Sequence, residues 1–212
     1  MSAATAQERL DAGMRVLGLE PAADTVDKLL AYRDLLARWN RVHNLTAIRD
    51  PEAMLAHHLL DSLAVNPYLS GERVLDVGSG AGLPGIPLAV ANPQRRFVLL
   101  DASSKRVRFL RQAVVALGLG NVEAVHERIE RYRPVAPFAT VTSRAFASLA
   151  DFAQAACELL ADDGHMLAMK GRYPDEELQA LPFGIRLHAV YELNVPGLDA
   201  QRHLIDLVRE RE

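Results

Sequence analysis

Residues 74–90 read VLDVGSGAGLPGIPLAV. A short apolar run, Val74-Leu75-Asp76-Val77, feeds four glycines in eight residues (Gly78, Gly80, Gly82, Gly85) and then an apolar, helix-compatible segment. A strand entering a glycine-rich turn and then a helix brings backbone N–H groups close to a ligand, because no side chain blocks the approach. The spacing Gly80-Ala81-Gly82-Leu83-Pro84-Gly85 matches the dinucleotide pattern G-x-G-x-x-G. Asp76 argues against a pyrophosphate there, since like charges in a cleft repel. A tight strand–helix turn without a ligand is the bland alternative. A second acid, Asp101, ends the apolar run Phe97-Val98-Leu99-Leu100, 23 residues after Gly78. A carboxylate in that place accepts hydrogen bonds from both hydroxyls of a ribose. Capping the helix that follows is its competing role, which Ser103 or Ser104 would fill equally well.

Further along lie cations. Lys105, Arg108 and Arg111 fall on one stripe of a helix at i, i+3, i+6, fit either to track phosphates or to face solvent. Arg128-Ile129-Glu130 follows a third strand, Arg144 a fourth and Lys170 a fifth. Arg144 and Lys170 thus stand at adjacent strand ends, at the mouth of a cleft. His57 and His58 are neighbours and point different ways, so they lack the i,i+4 spacing of helical metal ligands, and no metal is expected.

The elements that must position these residues alternate. Residues 5–18 and 22–43 have helical spacing, the latter through Leu29, Leu30, Leu35, Leu36 and Trp39. Asp50-Pro51 starts another helix, with Asp50 as N-cap, that runs to about Asn66-Pro67. From residue 73 strands (73–77, 96–101, 121–126, 139–143, 165–170) alternate with helices (84–92, 104–117), which predicts a parallel sheet covered on both faces. Two last runs, 185–193 and 202–209, flank Asn194-Val195-Pro196-Gly197 as an antiparallel edge pair. We expect an N-terminal helical extension over 1–66 and an α/β domain over 67–212.

Composition sets the bounds. The 212 residues are half hydrophobic and a quarter charged, enough for a substantial core. No apolar run approaches a membrane span, and the start shows no signal-peptide pattern. One cysteine, Cys157, on what reads as a buried helix face, excludes an intramolecular disulfide framework and fits a reducing, cytoplasmic setting. The net charge is −3, yet residues 95–144 hold ten Lys/Arg against four Asp/Glu, a net of +6. That segregation fits an anionic partner, and equally the solvated faces of helices.

Asp76-x-Gly78-x-Gly80-x-Gly82 resembles the glycine-rich motif of class I S-adenosylmethionine (SAM) methyltransferases, where the acid faces the ammonium-bearing methionine end of the ligand. The blocks WNRVHNLTAIRD, HHLLDSL, DVGSGAGLPGIPL, LLDASSKRVRFLR, SRAFASL, MKG and RHLIDLV, in this order, resemble the bacterial small-subunit ribosomal RNA methyltransferase G family, also called glucose-inhibited division protein B. The resemblance covers about residues 32–208. It implies a Rossmann-like class I fold, a mostly parallel seven-stranded sheet with an antiparallel C-terminal edge, and methylation of N7 of one guanine in 16S rRNA. It implies SAM as cofactor, S-adenosylhomocysteine as product, and 16S rRNA or a small-subunit assembly particle as partner. Neither membrane nor DNA is expected as a partner, and we expect a monomer. Asp76, Gly78, Gly80, Gly82, Leu83, Asp101, Ser103, Ile129, Glu130 and Arg144 are then the cofactor-binding residues. Asn44, His58, Lys105, Lys170 and Arg202 are the residues of the RNA side. Ser79 and Ala81 stand where many members carry Thr and Pro.

Guanine N7 has a free lone pair, so its attack on a methyl group needs no base, and catalysis is mostly in-line positioning. Other readings of the residues are a class I methyltransferase acting on a small molecule or protein, a non-catalytic SAM-binding assembly factor, and a nicotinamide-dependent reductase, which Asp76 disfavours.

Overall fold

The alternating apolar runs assemble into one seven-stranded sheet in the order β3-β2-β1-β4-β5-β7-β6. The computed structural model describes residues 4–144 and 146–210. Its strands are β1 (Arg73–Val77), β2 (Arg96–Asp101), β3 (Val122–His126), β4 (Phe138–Ser143), β5 (Leu160–Lys170), β6 (Ile185–Glu192) and β7 (His203–Arg209). β1 to β5 run parallel, and β7 lies antiparallel between β5 and β6. The chain moves outward from β1 to β3, then returns to lay β4 on the other side of β1. Strand order therefore reverses between β1 and β4, and a crevice opens beyond their carboxyl ends. Ser143 closes that junction, its hydroxyl donating to the Val77 carbonyl at 2.9 Å.

β5 begins at Leu160, five residues before the expected start. Leu160 pairs with Phe138 and His165 with Thr140, so a wide irregularity absorbs Ala161 to Gly164. Its polar residues masked the strand in the sequence.

Helix α1 (Ala6–Val16) opens with a capping box between Thr5 and Glu8. α2 (Ala23–His43) ends at Asn44, whose φ of 49° is left-handed. The next helix starts at the Asp50 cap as expected, but only Pro51–Met54 (α3) and Asp61–Leu63 (α4) are α-helical. Leu55–Leu60 between them is a π-helix. Then come α5 (Gly85–Ala91), α6 (Ser104–Leu117), α7 (Leu149–Cys157) and α8 (Asp175–Gln179). Cys157, half-buried, is the last residue of α7.

Two cores hold the sheet. On one face Leu10, Leu29, Tyr32, Leu36 and Leu59 pack in a single cluster with Ile86, Leu88, Phe109 and Leu110. The N-terminal helices thus share a core with α5 and α6. On the other face Leu149, Phe152 and Ala156 of α7 pack on Leu75, Val141 and Ile205.

Candidate functional site

The glycine turn is pinned to β2. The N–H groups of Gly78 and Ser79 donate to the Leu100 carbonyl at 2.8 and 3.1 Å. Asp101, buried at the end of β2, accepts from the Gly80 N–H at 2.9 Å and from the Ser103 N–H at 2.8 Å. Arg106 lies 3.5 Å from the same carboxylate. The Ser103 hydroxyl is the N-cap of α6, accepting from the Arg106 N–H. A cavity of about 270 Å³ opens beside this turn. Gly78, Asp101, Ile129 and Glu130 line it as the sequence led us to expect. Arg106, Glu127, Arg128 and Phe146 line it too. The last was passed over because an aromatic in a connecting segment carries no periodic signal. Apolar walls (Val77, Leu100, Ile129, Phe146) with carboxylates at the rim suit a stacked heterocycle and ribose hydroxyls.

Asp76, Gly80, Gly82, Leu83 and Ser103 do not line this cavity; Asp76 lies in β1, Gly80, Gly82 and Leu83 in the turn that follows it, and Ser103 caps α6. Gly82 has φ 87°, and Leu83 is in the core. Gly85 sits so close that a Cβ there would lie 2.2 Å from Leu99 and 2.6 Å from the Asp76 carboxylate. Asp76 is fully buried. One oxygen accepts from the Gly85 N–H at 3.1 Å, and the other has no partner. Burial pushes its carboxyl up to about 7, against the lowering influence of the Gly85 N–H, the Ser79 hydroxyl and Arg144. α2 reaches the same turn, for the buried Tyr32 hydroxyl donates to the Ala81 carbonyl. Burial also raises the Tyr32 phenol, so it stays a donor. Nothing in the spacing of α2 marks Tyr32 as more than a core residue.

A second cavity, of about 360 Å³, lies beyond β4 and β5, lined by Ile48, His57, His58, Asp61, Arg144, Met169, Lys170, Gly171 and Arg202. Here the structure gathers residues from four distant parts of the chain. Asp61, almost fully buried, accepts from Arg202 Nε at 2.9 Å and faces Arg144 Nη1 at 3.5 Å with its other oxygen. Arg144 also points at the His57 carbonyl, 3.4 Å away. Lys170 pairs with Glu177 of α8 at 2.8 and 2.9 Å. Arg144, expected beside the cofactor, and Lys170, expected on the RNA side, both line this cavity, where the Asp61 carboxylate faces Arg144. His57 and His58 both line it despite adjacency.

His58 is held on both sides. Its Nδ1 lies 2.9 Å from the His57 carbonyl, which can only accept, so Nδ1 carries the proton and Nε2 accepts from the Thr46 hydroxyl at 2.9 Å. Burial lowers its pKa to about 4, helped by Arg144 and His57, so the ring is neutral at pH 7. It orders the 44–50 connection and offers no free nitrogen. Asn44 and Lys105 do not line this cavity. Asn44, exposed, accepts from Arg49 at 3.0 Å, and Lys105 donates to the His43 carbonyl at 3.0 Å, tying α6 to the end of α2.

The rRNA small subunit methyltransferase G family model matches residues 25–205. The chain belongs to this family. It is 52% identical over 204 residues to the "Ribosomal RNA small subunit methyltransferase G" of Ectopseudomonas mendocina (strain ymp), covering 95% of each chain. With that of Neisseria meningitidis serogroup B it shares 50% identity over 202 residues, 95% of this chain and 97% of the relative. Among solved structures, the glycopeptide N-methyltransferase MtfA complexed with S-adenosyl-L-homocysteine superposes with a TM-score of 0.60 at 14% identity, over 73% of this chain and 88% of that one. TrmN from Thermus thermophilus gives 0.53 at 22%, over 70% and 47%. Those two likenesses establish the fold. As a member of the methyltransferase G family, the chain is a SAM-dependent rRNA methyltransferase, and of the two cavities described above the first, with apolar walls and the Asp101 carboxylate, has the lining that fits the nucleoside of that cofactor.

Proposed function

We propose that the protein methylates N7 of one guanine in 16S rRNA, with the methyl donor in the first cavity and the target nucleotide entering the second. The observation that carries this reading is the pair of unlike cavities at the strand-order switch between β1 and β4. One has apolar walls, with Asp101, Glu127 and Glu130 beside Arg106 and Arg128; the other gathers Arg144, Lys170 and Arg202 around Asp61. When bound, SAM supplies an electrophilic methyl group on a sulfonium. Asp101 would hold the ribose, Asp76 would fix the glycine turn from behind through the Gly85 N–H, and Phe146 and Ile129 would cover the base.

No residue need remove a proton, and the neutral, doubly bonded His58 is consistent with that. The task left to the chain is to aim N7 along the methyl–sulfur axis. The three cations suit phosphate or O6; a cation on N7 would oppose the positive charge the ring acquires. A-form RNA hides N7 in its deep groove, so the target must be unpaired or turned out. Asn44 and Lys105, at the junction of α2 and α6, would contact RNA outside the cavity. The enzyme would act as a monomer in the cytoplasm, on 16S rRNA or a small-subunit assembly particle, with residues 1–66 as a helical extension of the 67–212 catalytic domain.

The test is transfer from labelled SAM to 16S rRNA, naked and in small-subunit particles, followed by nuclease digestion. The expected product is 7-methylguanosine at one site, lost in Gly78→Val, whose side chain fills the approach to the first cavity. Label on another atom or base, or on protein or small molecules alone, would overturn the reading.

A further inference from the structure

The antiparallel edge of the sheet brings together three side chains that are far apart in sequence: His165 on β5, His188 on β6 and Asp206 on β7. His165 Nδ1 lies 2.8 and 3.0 Å from the two oxygens of Asp206. The rings of His165 and His188 meet edge to face, centroids 5.2 Å apart at 81°. One ligand atom from each of the three lies within 4.8 Å of the others. The backbone gives His188 a special place. Leu187 pairs with Leu207 and Ala189 with Asp206, so His188 is the extra residue of a β-bulge. A bulge re-aims its side chain and is a common device for placing a ligand.

We propose that His165, His188 and Asp206 form a binding site for a divalent transition metal of the zinc type, separate from the methyl-transfer site. Two imidazoles and one carboxylate suit Zn²⁺, Co²⁺ or Ni²⁺ better than Mg²⁺ or Ca²⁺, which take all-oxygen sets. Bond lengths of about 2.0–2.2 Å place tetrahedral ligand atoms roughly 3.3–3.5 Å apart. The His165–Asp206 pair is already closer than that and opens slightly when a metal takes the place of the hydrogen bond, the His165 ring then carrying its proton on Nε2. His188 closes the remaining gap by rotating about its side-chain bonds, which its exposure leaves free. Asp206 is buried and His165 half-buried, so two of the three ligands are fixed before the metal arrives. Water completes the fourth position on the exposed side. His165 precedes the cavity residue Lys170 by five strand residues, roughly 16 Å along β5, so the metal would take no part in methyl transfer. Its effect would be to clamp β5, β7 and β6 to one another.

Metal-freed full-length protein titrated with Co²⁺ tests this. We expect one Co²⁺ per chain with the intense visible absorption of a tetrahedral ion, displaced by Zn²⁺. Zn²⁺ should raise the melting temperature, as any ligand of the folded state does. His188→Ala, at an exposed position, should weaken binding at least about tenfold, a loss no smaller than that from removing an outer-sphere partner, and abolish the thermal shift while methylation persists. No saturable binding, a weak octahedral spectrum, or His188→Ala binding Co²⁺ as tightly as the parent would each overturn the proposal and leave His165–Asp206 as a plain hydrogen-bonded pair.

Discussion

Two buried groups titrate in opposite senses. The Asp76 carboxyl is raised by burial from 3.8 to about 7. An acid raised on folding contributes stability that is complete below its unfolded pKa and lost as pH climbs through the folded one. His58 is lowered by burial from 6.5 to about 4, so its contribution is present above pH 6.5 and lost as pH falls through 4. Each is worth up to about 4 kcal/mol at 1.36 kcal/mol per unit. Over pH 4–7 the two slopes oppose each other, and ligand-free protein should show little net dependence from this pair. Asp76→Asn removes one slope, so its urea stability should fall below the parent's as the solution is acidified from pH 7 toward 4. Parallel stability curves for parent and variant would refute the assignment.

The elements show where pattern is informative. β1, β2, α6 and the edge pair have clean apolar periodicity and clear caps, and they lie where the sequence put them. β5 was read short because Asp162, Asp163 and Gly164 interrupt its apolar run while pairing continues past them. The π-segment Leu55–Leu60 was invisible, because one extra residue per turn leaves composition unchanged. Within it, His57 and His58 both line the second cavity. Cavity residues at strand ends (Gly78, Asp101, Ile129, Lys170) were legible from their position after apolar runs. Tyr32 and Asp61 were not, since what each does depends on a partner 49 and 141 residues away. Tyr32→Phe tests whether α2 braces the glycine turn. Loss of the buried hydrogen bond should cost about 1 kcal/mol in denaturation and weaken SAM severalfold. A stability loss with SAM affinity intact would make Tyr32 a packing residue only.

At the scale of the molecule, charge separates from net charge. The segment 95–144 carries +6 in a chain of −3, and α6 presents Lys105, Arg108 and Arg111 on its exposed side. If these meet phosphates, RNA affinity should fall with salt, and the triple Ala variant should lower the log–log slope by about 2.1–2.7, at 0.7–0.9 per contact. SAM affinity should be unchanged. An unaltered slope would return the stripe to solvent. The carboxylate of Asp61 has a consequence of another kind. It joins a helix near the beginning of the chain to Arg144 after β4 and to Arg202 just before β7, the strand that slots between β5 and β6. The lining of the first cavity is complete once Ala147 has been synthesised, whereas the second waits for Arg202 and the strand behind it. A chain cut short before Arg202 would thus keep every residue that lines the first cavity, yet lack one cation of the second and the strand that slots between β5 and β6.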